Sequence, residues 1–275
     1  MKFWGVRGSF PCPQTNRLRY GGNTSCVSLQ IDQKLLVLDA GTGIRELGQW
    51  LLEQPEPAPI NLLLSHVHWD HIIGFPFFDP AYREAFEIDI YAGSLRSQSQ
   101  SIKEVMSQLM GAPTFPIDLD TLAARLRFHD FNAGESFTIG DSIRIKTAPL
   151  HHPNEATAYR VEHQGKSVCY VTDTEHSRDR LDANILSLAQ GADLFIYDCS
   201  YTDEEFKHRI GWGHSTWQEG IRLARAAGVK QLAIFHHDPD HDDDFMDEVA
   251  RQSSAEWPGA FVAREGLTLE IGADR

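Results

Sequence analysis

The sequence predicts an α/β protein, one domain of two similar halves in which strands are followed by helices. Three observations carry this. Short apolar runs of strand length recur, among them Lys34–Leu38, Ile60–Leu64 and Gln231–Phe235. Segments with apolar residues at 3/4 spacing alternate with them. No linker long enough to separate two domains intervenes.

In chain order, residues 2–6 and 25–31 read as extended, and Lys34–Leu38 as a compact strand. Gly21-Gly22-Asn23-Thr24 and Gly41-Thr42-Gly43 are turn signals. Ile44, Leu47, Leu51 and Leu52 form one face of a helix over 44–53, which Pro55-Glu56-Pro57-Ala58-Pro59 ends. Strand Ile60–Leu64 stops at Ser65-His66. An irregular aromatic stretch over 75–80 precedes an expected strand at 87–91, a helix at 97–110, a loop at 111–116 and a short helix at 118–126. Residues 75–130 are insertion-like, being long for their position. Strands are then expected at 142–147, 158–161, 167–171 and 194–197, and a helix at 216–227. Gln231–Phe235 is a strand, 242–251 a helix, and 261–263 and 267–271 final strands. The expectation is one domain over 1–275.

Composition narrows the function. The chain of 275 residues has 25 Lys+Arg against 39 Asp+Glu, a formal charge of −14. Such a balance disfavours a broad phosphate-tracking face, so no long nucleic acid is expected as a partner. The beginning of the chain has no signal-peptide pattern, and no stretch approaches the ~20 apolar residues of a membrane span. Cys12, Cys26, Cys169 and Cys199 show no CxxC spacing. A reducing cytoplasm and no membrane association are the expectation.

The 13 histidines are unevenly placed. Ser65-His66-Val67-His68-Trp69-Asp70-His71 puts three imidazoles and a carboxylate directly after an apolar strand. These are the donors that zinc, manganese and iron accept, with zinc the default for this set. His66 and His68, two apart, project to one side of extended backbone. Asp70 and His71 fall where the chain turns into a helix and can reach a second point, so one strand end can serve two adjacent divalent metal ions. Four further strands also end in His or Asp: at His151-His152, Asp173, Asp198 and His236-His237. Ligands of α/β proteins gather at such ends.

His66-Val67-His68-Trp69-Asp70-His71 resembles the signature of the metallo-β-lactamase-fold hydrolases. Leu150-His151-His152-Pro153, Val171-Thr172-Asp173, Gly213-His214-Ser215-Thr216 and Ile234-Phe235-His236 resemble later motifs of the branch containing ribonuclease Z and the phosphonate-pathway cyclic phosphodiesterase. Phe3-Trp4-Gly5-Val6-Arg7-Gly8-Ser9 and Tyr20-Gly21-Gly22-Asn23-Thr24-Ser25 look like the class II-like cyclic-nucleotide phosphodiesterases of bacteria. The resemblance implies a four-layer αββα sandwich. It implies that His66, His68 and His152 hold a first metal, that Asp70, His71 and His236 hold a second, and that Asp173 bridges them. It implies attack on a small phosphodiester, a cyclic nucleotide above all, by hydroxide oriented by Asp70. His214 is then the acid for the leaving group, with Asp198 fixing its tautomer. Many ribonuclease Z sequences have Glu where this chain has Asp198. A homodimer is implied on the same ground. A ribonuclease Z-like nuclease, and a metal-loaded binding or regulatory protein without turnover, are the alternatives.

Other features admit two readings. Asp39 either orders the metal loop or caps a turn. Arg7 and Asn23 either contact phosphate or fix loops, and the structural role is favoured. Trp69 is expected to pack, and His176 to lie at the surface. Phe75, Phe77, Phe78, Met106, Met110 and Phe115 form a nucleobase wall, a dimer surface or a satellite core, and core or interface is favoured. Seven acids fall within residues 238–248, read as a solvated helix start rather than a calcium loop.

Overall fold

The computed structural model describes residues 1–272. Its first sheet contains β1 (Lys2–Gly5), β2 (Cys26–Ile31), β3 (Lys34–Leu38), β4 (Ile60–Leu64), β5 (Glu87–Ala92) and β6 (Arg125–Asp130), in that spatial order. β1, β2 and β3 pair antiparallel, and β3 to β6 run parallel. The second sheet runs β7 (Ser136–Ile139), β8 (Ile143–Leu150), β9 (Ala156–His163), β10 (Lys166–Val171), β11 (Leu194–Asp198), β12 (Gln231–Phe235) and β13 (Ala260–Val262). Here β7 to β10 are antiparallel and β10 to β13 parallel.

Strand alternation sorts the apolar side chains into layers. Leu36, Leu38 and Leu63 face the second sheet, where they share a core with Tyr159, Tyr170, Ile196 and Phe235. Their neighbours Leu35, Val37, Leu62 and Leu64 face outward under α1 (Ile44–Leu52). On the far side Cys169, Phe195, Tyr197, Leu232 and Ile234 pack against helices. The layers are therefore helix, sheet, sheet, helix, as expected. Between α1 and those helices, α2 (Trp69–Ile72) follows β4 and α3 (Ile102–Leu109) joins the outer core of the first sheet. The second sheet carries α4 (Ala183–Ala189), α5 (Asp203–Phe206), α6 (Trp217–Ala227) and α7 (Asp243–Glu256). No helix among the described residues is long and apolar enough to cross a membrane.

Residues 75–130 contribute β5 and β6 to the first sheet, and Phe75, Phe78, Met106 and Met110 are buried in its outer core. Phe77 is exposed and packs edge-on against Phe115. The expected helix at 118–126 is only a single turn at Leu119–Thr121, because the chain extends into β6 from Arg125. The expected strand at 267–271 is a short backbone pairing with the N-terminus: Phe3 N–H donates to Leu267 and Leu269 N–H to Met1. The helix expected from 97 begins at Ile102, after a left-handed Ser99 and a capping box between Ser101 and Glu104. Pro149 lies within β8 and does not end it. The pairing with β7 stops at Lys146, so no partner on that side needs the N–H that proline lacks.

Candidate metal centre

The strand ends of both sheets meet at one edge of the sandwich. His66 follows β4, His68 caps the start of α2, and α2 itself carries Asp70 and His71. His152 lies just beyond β8, Asp173 beyond β10, Asp198 at the end of β11 and His236 immediately after β12. Asp39, Asp173 and His236 adopt positive φ, at 62°, 55° and 63°. The left-handed conformation breaks the strand's alternation and turns each side chain back toward the edge. It costs about 1–3 kcal/mol per residue and persists where surrounding contacts fix it.

Two donor clusters result. One nitrogen each of His66, His68 and His152 lie within 4.8 Å of one another, and so do donors of Asp70, His71, Asp173 and His236. Asp173 faces both. Its Oδ1 is 3.8 Å from His66 Nε2 and 3.7 Å from His152 Nε2. Its Oδ2 is 3.2 Å from His71 Nε2 and 3.1 Å from His236 Nε2. Asp70 Oδ2 lies 3.1 Å from His71 Nε2 and 3.4 Å from His236 Nε2.

The residues fit divalent cations. The Nε2 atoms of His66, His71 and His236 are buried without hydrogen-bond partners. Burial lowers the pKa of His66, His68 and His152, keeping them in the neutral form that binds metal. Burial opposes ionisation of Asp70 and Asp173, but the surrounding imidazoles win and hold both well below the usual carboxylate range. Burial likewise opposes a charged His71, yet Asp70, Asp173 and Asp39 hold it well above its ordinary value.

Buried contacts orient the donors. Asp39 accepts from Ser65 N–H at 2.7 Å, Ser65 Oγ at 2.8 Å, Tyr170 OH at 2.7 Å and His71 Nδ1 at 2.8 Å. It thus both caps the loop and directs His71 Nε2 into the second cluster, so the two readings of Asp39 coincide. His152 Nδ1 donates to Gly213 O at 2.8 Å, leaving Nε2 for the first cluster. His151 is exposed and lines a neighbouring cleft. His237 turns away from the cluster and donates from Nε2 to Ala263 O at 2.8 Å.

His214 lies beside the clusters, stacked on His236 at 5.0 Å. Its Nδ1 is 3.0 Å from Asp198 Oδ2, so the shorter carboxylate reaches it. Thr174 N–H and Ser200 hold Asp198 in turn. Burial alone lowers the pKa of His214, but Asp198, with Asp173 and Asp70, raises it to about 9. With Nδ1 engaged by Asp198, Nε2 is the ring nitrogen left for another partner.

The structure adds residues that the motifs did not single out. Ser9 N–H donates to Asp70 Oδ2 at 2.7 Å. Gly8 passes so close to His236 that a Cβ would lie 2.3 Å from the ring. Glu175 Oε2 accepts from Gly211 N–H at 2.7 Å and Gly213 N–H at 2.9 Å, fixing the loop before His214. The Gly-Ser pair after Arg7 was the available signal for the first two. Arg7 is fully buried, and its guanidinium donates to the carbonyls of Gly21, Asp238 and His241. Asn23 bonds Glu265 and Thr42. Both therefore tie loops together. Contrary to expectation, Trp69 is 77% exposed. It occupies the outer side of α2, opposite buried Asp70 and His71. His176 is half-buried, not superficial: it stacks on Phe206 and bonds Ser215 Oγ at 2.8 Å.

Comparison with known proteins gives this geometry a family. Residues 35–237 match the model of the beta-lactamase superfamily domain. Ribonuclease Z of Synechococcus sp. (strain CC9311) is 24% identical, with 93% of this chain and 95% of that protein aligned. Ribonuclease Z of Methanothermobacter thermautotrophicus is also 24% identical, over 95% and 94% of the two chains. The metallo-beta-lactamase fold protein YhfI from Bacillus subtilis superposes with a TM-score of 0.71 at 20% identity, covering 98% of each chain. A diphosphatase from the PhnP family gives a TM-score of 0.71 at 20% identity, over 98% of this chain and 96% of that one. Human tRNase Z, short form, gives 0.67 at 16% identity, over 99% of both. With two sheets packed face to face between helices and the His-x-His-x-Asp-His segment at their rim, the chain belongs to the beta-lactamase superfamily and is a hydrolase of the metallo-β-lactamase fold.

Proposed function

We propose that this protein is a binuclear metal-dependent phosphodiesterase acting on a small phosphodiester, a cyclic nucleotide being the simplest substrate of that class. His66, His68 and His152 would hold one cation, Asp70, His71 and His236 the other, and Asp173 would serve both. The observation that carries the reading is the division of Asp173, whose two oxygens face different donor clusters. Two divalent cations, zinc by default and manganese or iron as alternatives, neutralise a phosphodiester's charge and lower the pKa of water toward neutrality.

The chain's own residues supply the rest. Asp70, whose Oδ2 is held by Ser9 N–H, orients the attacking water. His214 delivers the proton from Nε2 to the leaving oxygen as the P–O bond breaks, and Asp198 keeps the other proton on Nδ1. General-acid catalysis of this kind contributes about 10²–10⁴-fold. The formal charge of −14 supports a small substrate over a long nucleic acid. A homodimer and a cytoplasmic location belong to the same proposal. The four cysteines are free and buried, consistent with a reducing compartment.

The relatives named ribonuclease Z, aligned over nearly the whole chain, favour a nuclease as the second reading. Metal analysis of the purified protein, with assays on an aryl phosphodiester, a cyclic-nucleotide panel and a precursor RNA, separates the readings. Two metals per chain and turnover of small diesters are expected. Turnover of long RNA alone would favour the nuclease. Two bound metals with no turnover would favour a binding or regulatory protein.

A further inference from the structure

Beside the proposed metal centre lies a second cleft, of about 740 Å³, whose lining includes His151, His176, Arg178, Arg180 and Ile210. Its walls are the loops that carry the site. His151 precedes His152, and its carbonyl accepts from Glu175 N–H at 2.8 Å. His176 follows Asp173 by three residues and bonds Ser215, the neighbour of His214. Ile210 belongs to the turn that Glu175 fixes ahead of His214. The cleft therefore adjoins the loops that carry His152, Asp173 and His214, on the side where the phosphodiesterase reading places the leaving group.

Its charges are unequally committed. Glu175 is engaged by two backbone N–H groups, and Asp182 caps α4 by accepting from Asn184 and Ile185 N–H. Asp179 does not line the cleft. Arg178 and Arg180 are exposed, and no hydrogen bond or ion pair among the described residues engages either guanidinium. Elsewhere this acidic chain pairs its arginines readily: Arg19 with Asp244 and Asp247, Arg127 with Asp89, Arg222 with Asp203 and Glu219. Two uncommitted guanidinium forks in a cleft are suited to a phosphate, which they can bind in bidentate fashion.

We propose that the Arg178–Arg180 cleft binds a second phosphate carried by the leaving half of the substrate. The inference rests on the phosphodiesterase reading and deepens it. The preferred substrates become nucleotide diesters with an additional phosphate on the departing nucleoside, and a cyclic mononucleotide fills the metal centre but not the cleft. A free dinucleotide and the end of an oligonucleotide share this chemistry.

The test compares linear dinucleotides bearing a terminal phosphate at the 5′ end, at the 3′ end or at neither. A 5′-phosphorylated tetranucleotide distinguishes the oligonucleotide source. One phosphorylated end should raise kcat/KM by about tenfold to a hundredfold, the range expected of a charge-assisted contact. Arg178→Ala/Arg180→Ala should bring that ratio close to one, and Arg178→Glu/Arg180→Glu below one. Calorimetric binding of a nucleoside 3′,5′-bisphosphate against the two monophosphates supplies a readout without turnover. The bisphosphate should bind the wild type at least tenfold tighter, and the advantage should vanish in the double variants. Equal ratios in wild type and variants, with diesters cleaved, overturn the cleft and leave the phosphodiesterase reading standing. A lost bisphosphate advantage with no diester cleaved does the reverse.

Discussion

Asp39→Asn removes a single charge from a closed hydrogen-bond system and tests whether that system aims a metal ligand. The carboxylate accepts four bonds, one on Oδ1 from Ser65 N–H and three on Oδ2 from Ser65 Oγ, Tyr170 OH and His71 Nδ1. An asparagine amide has one oxygen and an NH₂ group. With the NH₂ on the Oδ1 side, it faces Ser65 N–H, which cannot become an acceptor. With the NH₂ on the Oδ2 side, the hydroxyls can rotate, but His71 must accept at Nδ1 and carry its proton on Nε2. That proton occupies the lone pair directed at Asp70 and Asp173. A lost charge-assisted hydrogen bond in the interior costs about 1.5–3 kcal/mol. Disruption of a contact behind a metal-binding histidine costs about 10- to 100-fold in affinity. On the proposed binuclear reading, the variant should therefore unfold at lower denaturant and bind the metal that His71 would hold about 10- to 100-fold more weakly, read by titration against a competing chelator. Tyr170→Phe, which removes one donor to the same carboxylate and leaves the tautomer intact, should cost a similar amount, about 1.5–3 kcal/mol for one charge-assisted bond, yet leave metal binding unchanged. Wild-type affinity for two metals in Asp39→Asn refutes the reasoning, because His71 would then bind without an enforced tautomer.

Three further outcomes are expected. His214→Ala should reduce kcat on an alkyl-leaving diester by about 10²–10⁴-fold, and far less on a p-nitrophenyl ester, whose leaving oxygen needs no proton; equal losses on both would count against His214 as the acid. Gly8→Ala places a Cβ 2.3 Å from the His236 ring, so it should weaken metal binding while secondary structure by circular dichroism is retained. His237 is buried, and burial, with the Arg7 charge next, holds its pKa down at about 3. A histidine near its ordinary value in the unfolded chain binds the extra proton, so this stability is complete above about pH 6.5 and is lost as pH falls toward 3. His237→Gln should flatten that part of the stability profile in urea titrations, and an unchanged slope would show that other groups govern it.

The strands most readable in the sequence were those buried on both faces. Lys34–Leu38, Ile60–Leu64 and Gln231–Phe235 are continuous apolar runs because one set of side chains meets the opposite sheet and the other meets helices. β6 was obscured for the opposite reason. At the sheet edge, Arg125-Leu126-Arg127-Phe128-His129-Asp130 satisfies its charges across the ladder, Arg127 and His129 both reaching Asp89. Single-sequence periodicity reads such a segment as polar and helical. At the site, the donor types were legible from their spacing at strand ends. The aim of the side chains was not, because it depends on left-handed backbone at Asp39, Asp173 and His236. Those conformations are imposed by long-range contacts such as Tyr170 to Asp39, which no local pattern encodes.

The distribution of charge explains how so acidic a chain can present a site for an anion. The acids of 238–248 are largely occupied at the start of α7. Asp242 caps the helix, Asp243 accepts from the N–H groups of Arg19 and Tyr20, and Asp244 and Asp247 pair with Arg19. Arg7 completes the same clasp from within, through the carbonyls of Asp238 and His241. That clasp brings the N-terminal loop over the site, where Gly8 allows the approach to His236 and Ser9 holds Asp70. The excess negative charge thus does structural work on one flank. On the other flank, the His214 loop and the Arg178–Arg180 cleft lie together without an uncommitted acid in the lining. The net charge repels long polyanions at a distance, where many phosphates must approach the whole surface. A small phosphate ester would experience chiefly the local field within a Debye length of about 8 Å, to which the two arginines and any cations held by the proposed site would contribute. On the proposed reading, size selection by global charge and recognition by local charge would therefore act together on one small phosphate ester.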